Sequence, residues 1–218
     1  IEKDIEYSFI EFDYKLCKHR NPILYDFVEG ESCKYADTPR AAAIQRFIRN
    51  SKSTFFMSDE QRRIYSEHLP EVADANTHIL SSLFDDHFFE RINLLNNKYD
   101  GQPRDDKWIV LASNSWVKGA LQSENWCKEN DLDYDLIFGV QYDQFLKRLA
   151  QAKGLCAMPA GYDTCPRLVI EAKLLGCELQ TNEYVQHRDE EWFNKPNEEI
   201  IKYLKTRKDY FWMHAFNG

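Results

Sequence analysis

The sequence predicts an α/β fold built on mainly parallel sheets. Strand-like and helix-like patterns alternate from end to end, as parallel strands joined by crossover helices require. After residue 106 the connections between them become short, as in a doubly wound sheet that takes its ligand at the carboxyl edge of the strands. A chain of 218 residues, 43% hydrophobic and 14% aromatic, can bury a core and falls between one large domain and two small ones.

The elements follow in order. Ile5 to Tyr14 alternates as a strand does, with Ile5, Tyr7, Phe9 and Glu11 on one side and Ile10, Phe12 and Tyr14 on the other. Lys15 to Pro39 reads as a polar loop, Ala41 to Asn50 as a helix and Ser53 to Met57 as a short apolar strand. Ser58 to Gln61 fits a capping box that opens a helix reaching about His68. Thr77 to Ser82 is a strand, and Asp85 to Asn97 a helix with Phe88, Ile92 and Leu95 on one face. Asn96 to Asp106, rich in Asn, Asp, Gly and Pro, is the best linker in the chain.

Beyond it the alternation is regular. Strands are expected at Lys107 to Ala112, Tyr134 to Val140, Gly154 to Pro159 and Cys177 to Thr181. Helices are expected at Val117 to Glu129, Tyr142 to Ala152, Pro166 to Leu175 and Asn197 to His214, the last carrying Tyr203, Tyr210, Phe211 and Trp212 for packing. There is no repeat and no low-complexity tract.

Composition excludes several functions. A net charge of −8 and a pI near 5.3 argue against a nonspecific grip on nucleic acid, which depends on Lys and Arg neutralising phosphates. No run of ~18 apolar residues spans a bilayer, and no leader pattern stands at the N-terminus, so the expectation is a cytoplasmic protein without a transmembrane segment. Cys17, Cys33, Cys127, Cys156, Cys165 and Cys177 lie far apart with no CxxC pair, the spacing of reduced, mostly buried thiols. Cys17, His19 and Cys33 come nearest to a metal cluster, but no fourth ligand is evident, so neither metal nor cofactor is expected. His78, His87, His187 and His214 have no partner pattern.

The chemistry concentrates between Pro159 and Gly176. Asp163 and Glu171 stand eight positions apart across a loop-to-helix junction, with Pro166 at its first turn and Gly176 to end it. Unpaired N–H groups and the dipole make such a helix start an anion site, and Glu171, more than a turn further on, can accept hydrogen bonds from sugar or ribose hydroxyls.

An acidic residue, seven intervening positions and then Glu-Ala resembles the E-x7-E signature of the retaining, nucleotide-sugar-dependent glycosyltransferases of family 4, with Asp163 in place of the first Glu. In that family two Rossmann-like domains face each other, an arrangement called GT-B, and the C-terminal one holds the nucleotide sugar. The resemblance runs from about Ser53 to the C-terminus. Phe55 to Ser58, the following helix and Ile79 to Asp85 are similar to the last strand, helix and strand of the N-terminal domain. It implies an N-terminal domain truncated or unusually compact: residues 1–95 as the end of an acceptor-side domain, 105–196 as the nucleotide-sugar domain, and 197–218 as a helix returning to the first.

Trp116-Val117-Lys118-Gly119 resembles the lysine-glycine step of the family, and a lysine is a suitable point charge for a diphosphate. The alternative is a solvated lysine at a helix start, where the dipole disfavours a cation. Ser113, beside Asn114, stands where the family has an arginine, and Pro166 where it often has a glycine, so one phosphate clamp and one cradle amide are missing. Gly139-Val140-Gln141-Tyr142 resembles the family's base-contacting turn.

Lys118, Asp163 and Arg167 are thus the expected catalytic groups. Ser113, Asn114, Val140, Gln141, Tyr142, Thr164, Cys165, Pro166, Leu168 and Glu171 complete the expected donor site. Arg167 is open to a bidentate phosphate contact or to an ion pair with Asp163 or Glu171. Asp13, Lys15 and Arg20, after the first strand, are the acceptor-side candidates and would face an interdomain cleft.

The expected activity is transfer of a sugar from a nucleoside diphosphate sugar to a glycan or other hydroxyl acceptor, with retention. A non-catalytic nucleotide-sugar-binding module is the alternative. A glycoside hydrolase also uses paired carboxylates, but nothing else in the chain supports it, and neither GxGxxG nor Walker A is present.

Overall fold

A computed structural model describes residues 5–33, 38–69, 72 and 75–217. It is α/β with two separate parallel sheets. Two compact units result, one of residues 1–83 with 202–218, the other of residues 84–201.

The first unit carries a three-stranded sheet in the order β1 (Ser8–Glu11), β2 (Ser53–Phe56), β3 (Thr77–Ile79). Ser8 pairs with Ser53 and Thr54 with Thr77. The alternation expected from Ile5 to Tyr14 shortens to four residues, because β2 offers only four partners.

Three helices join these strands. Part of the segment read as a loop is helix α1 (Pro22–Glu29), opened by the Asn21 side chain accepting the Ile23 N–H and closed by Gly30 at φ 71°. The rest of that segment includes residues 34–37, which lie outside the described residues. Helix α2 (Pro39–Arg49) is capped by Thr38. Ser58 caps α3 (Asp59–His68), while Gln61 reaches past it to accept the Met57 N–H at 2.7 Å.

The second unit holds α4 (Asp86–Tyr99) and a four-stranded sheet in the order β5-β4-β6-β7. Its strands are β4 (Trp108–Leu111), β5 (Tyr134–Ile137), β6 (Gly154–Ala157) and β7 (Glu178–Thr181). Helices α5 (Ala120–Glu129), α6 (Tyr142–Gln151) and α7 (Arg167–Leu174) connect them. Trp108, Val110, Cys127, Cys156 and Met158 form a core cluster. Gly154 is required there, since a Cβ would meet the Trp108 ring at 2.5 Å.

The linker expected at Asn96 to Asp106 is a clamp instead. Helix α4 runs through it to Tyr99, and Asn96 donates to the Leu174 carbonyl at 3.0 Å. Arg104 donates to the carbonyls of Leu149, Ala152 and Leu175, at the ends of α6 and α7. Helix α4 lies in the second unit, so the division falls at residue 84 rather than between 95 and 105.

Helix α8 (Asn197–Asn217) belongs to the first unit from Lys202 onward. Tyr210 and Phe211 pack on the cluster of Phe55, Leu80 and Ala215. Ser8 and Ser53, paired across the sheet, donate to the Ala215 and His214 carbonyls at 2.8 and 2.7 Å. They satisfy acceptors that the end of a helix leaves unpaired.

Candidate functional site

The candidate site lies at the carboxyl edge of the second unit's sheet. After β4 the chain passes Ser113 and Asn114 into a 3₁₀ turn, Trp116–Lys118, and then Gly119, which opens α5 at φ 59°. A Cβ at Gly119 would collide with the Met158 carbonyl, so glycine alone lets the start of α5 pass the end of β6. Ser123 fastens this approach, donating to the Gly119 carbonyl and accepting the Met158 N–H, both at 2.9 Å.

The close approach brings Lys118 and Asp163 together, Nζ to Oδ2 at 2.7 Å. Asp163 is held by its backbone, whose N–H donates to the Tyr184 carbonyl and whose carbonyl accepts the Gln186 N–H. Lys118 therefore has its counter-ion within the chain, so its place before a helix start does not by itself demand a bound anion. The pair remains reachable, with the Lys118 side chain 36% and the Asp163 side chain 13% exposed. Both line a cavity of about 40 Å³ together with Ser123, Cys156, Pro166 and Leu168. That volume suits a few waters, so a larger ligand would lie across its mouth.

Pro166 is the N-cap of α7 rather than its first residue, with φ −66° and ψ 113° and no capping side chain. Thr164 and Cys165 before it are buried. One turn into α7, Glu171 accepts the Tyr142 hydroxyl at 2.8 Å. Arg167 takes the ion-pair alternative, with Glu171 and at long range: its Nε stands 3.8 Å from Oε1, while its guanidinium lies over the Phe84 ring at 4.5 Å. Burial pushes the Glu171 carboxyl above its ordinary range, against the lowering effect of Tyr142 and Arg167. Burial, then the Glu171 charge, also raises the Tyr142 hydroxyl.

The remaining expected donor residues are more open. Val140 and Tyr142 are exposed, and Gln141 caps α6 only through its backbone, accepting the Gln144 and Phe145 N–H groups. Ser113 accepts the Ser115 N–H at 3.1 Å.

In the first unit, Asp13, Lys15 and Arg20 form a cluster among themselves. Arg20 pairs with Asp13 at 2.5 Å, and Lys15 stands 2.9 Å from Glu11 and 3.9 Å from Asp13. Glu11, unremarkable in the sequence as one step of a strand alternation, is fully buried at the end of β1. Desolvation raises its carboxyl even with Lys15 beside it. Ser123 and Arg104 were equally hidden, since no local pattern marks a helical serine or a lone loop arginine.

His19 shares its Nε2 with Glu29 at 2.7 Å, and among the described residues no group of three His, Cys, Asp or Glu could hold a metal ion. No helix among them is long and apolar enough to cross a membrane.

No protein-family model matches this sequence, and no curated protein matches it. The likeness to family 4 glycosyltransferases therefore stands on the motif residues alone.

Proposed function

We propose that the second unit binds a nucleoside diphosphate sugar at the carboxyl edge of its sheet. On this reading the chain is part or all of a cytoplasmic retaining glycosyltransferase of GT-B type. It transfers the sugar to a hydroxyl of a glycan or other acceptor. The observation that carries the proposal is the reachable Lys118–Asp163 pair at the start of α7, with Glu171 one turn further along the same helix.

The groups divide the donor between them. Lys118 exchanges Asp163 for the diphosphate, and Arg167 leaves Phe84 and Glu171 to add a second positive charge. Asp163, released, accepts hydrogen bonds from the sugar, while Glu171 takes the ribose hydroxyls. The bond from the anomeric carbon to the diphosphate breaks as the bond to the acceptor oxygen forms, and the acceptor's proton leaves with the diphosphate. Stabilisation of the departing charge is the main catalytic contribution, and the scheme uses no metal.

Pro166 offers no N–H to a phosphate and Ser113 no positive charge, which favours the second reading, a module that binds the nucleotide sugar without transferring it. Isotope-labelled donor supplied with candidate acceptors separates the two. Transfer should appear in the wild type and fall in Asp163→Asn, which frees Lys118 and so binds the bare nucleotide at least as tightly, whereas Glu171→Gln should weaken nucleotide and nucleotide sugar alike. Donor binding with neither transfer nor hydrolysis would leave the binding module.

A further inference from the structure

We infer that His78, Tyr210 and His214 form an acid-sensitive latch that holds the C-terminal end of α8 on the first sheet. His78 lies in β3 opposite Phe55 of β2, and the two rings stack with centroids 5.3 Å apart. From α8, Tyr210 and His214, one turn apart, close on the same imidazole. The Tyr210 hydroxyl stands 3.0 Å from His78 Nδ1, and the His214 ring lies 4.2 Å from His78 and 4.3 Å from Tyr210. This is the part of α8 that docks. Phe211 meets Phe55 at 4.9 Å, and the His214 and Ala215 carbonyls accept the Ser53 and Ser8 hydroxyls. All of these groups belong to the first unit.

The cluster suits a neutral His78 and not a charged one. Its Nδ1 shares a hydrogen bond with Tyr210, but its Nε2 is buried without a partner. A protonated imidazole carries an N–H at both nitrogens, so protonation in place would leave a charged, buried donor with no acceptor. The surroundings add to that cost. Strand β2 sets the apolar Phe55 ring against His78, and α3 adds the Arg62 charge, itself paired with Asp59 at 2.7 Å. Helix α8 adds His214 and, over the Tyr210 ring at 4.1 Å, the Arg207 guanidinium. Burial first, then His214 and Arg62, hold the His78 imidazole below its ordinary range. The latch is therefore fully engaged above about pH 6.5 and weakens as pH falls toward that lowered value. In acid His78 gains its proton by leaving the cluster for water, and two charged imidazoles at 4.2 Å repel. The end of α8 lifts, uncovering Phe55 and Leu80, on which Tyr210 and Phe211 pack in the docked state.

The test is amide hydrogen exchange of the full chain, read by mass spectrometry at about pH 7.5 and about pH 5 and corrected for the intrinsic pH dependence of exchange. Protection of residues 207–216 in α8 should fall about fivefold between the two, while α3, in the same unit, keeps its own. His78→Phe and the milder His78→Gln remove the titrating group, and in each the helix end should stay as protected at the lower pH as at the higher. His187→Phe, in the other unit, should leave the loss unchanged. Equal protection of 207–216 at both pH values, a loss shared equally by α3, or a loss that survives in the His78 variants would overturn the inference.

Discussion

At the carboxyl edge of the first sheet, Glu11 is fully buried, and one of its oxygens takes both the Lys15 ammonium at 2.9 Å and the Asp13 N–H at 3.1 Å. At the corresponding edge of the second, Glu171 is nearly as buried, but its short bond comes from a neutral hydroxyl, and the nearest positive charge stands 3.8 Å away, shared with a phenyl ring. Desolvation raises both carboxyls. The first, however, is closed by a close cation of its own, whereas the second keeps a cation that can be redirected. A ligand site needs groups whose present partners can be exchanged at modest cost, and by that criterion the second edge is the better candidate.

The largest expected effect tests the scaffold of that edge. Gly119→Ala places a methyl group into the Met158 carbonyl at a left-handed backbone position, and should cost about 3–5 kcal/mol. Denaturant unfolding or soluble yield would show it; an unaffected protein would mean that α5 does not pass β6 so closely. Next, Glu11→Ala strands the Lys15 ammonium and the Asp13 N–H, and should cost about 2–4 kcal/mol. Glu171→Ala, which strands mainly a half-exposed hydroxyl, should cost about 1–2 kcal/mol. Equal losses in the same unfolding assay would erase the contrast between the two edges.

Acid sharpens the comparison through histidine. His187, sealed among Trp192, Phe193 and the nearby Lys173 charge, is held down to about 3, chiefly by desolvation. A histidine lowered in the folded state contributes stability that is fully present above about pH 6.5 and is lost as pH falls toward its folded value. Between pH 7 and pH 5 the loss should be about 2 kcal/mol, and His187→Phe should flatten it. In the first unit His78, also lowered by burial and then by His214, is more open and should matter less. Glu11 and Glu171 act with the opposite sign, since raised carboxyls contribute stability below their unfolded value that is lost as pH rises through the folded one. A His187→Phe variant that loses as much stability between pH 7 and pH 5 as the wild type would mean that His187 is not sealed.

Much of the fold was legible because each strand and helix carries its own period. The exceptions have local causes. Helix α1 has only eight residues, with Phe27 and Val28 exposed, so no apolar stripe marked it, although Asn21-Pro22 and Gly30 were its start and stop signals. Between Asn96 and Asp106 the Gly and Pro are visible in the sequence, but the three helix-end carbonyls that Arg104 meets are brought to it only by the fold. At the candidate site, Lys118 and Asp163 were recognisable as charges beside turns. Their pairing was not, because it spans 45 positions and depends on the passage of Gly119 beside Met158. Glu11 was missed outright, since burial of a strand carboxylate is decided by neighbours distant in sequence.

Calorimetric titration of the chain with a panel of nucleoside diphosphates tests the central claim most directly. Saturable binding of at least one of them is expected, weakened by about 1–3 kcal/mol in Lys118→Ala and unchanged in Lys15→Ala. No binding by any nucleoside diphosphate, or an affinity indifferent to Lys118, would contradict it.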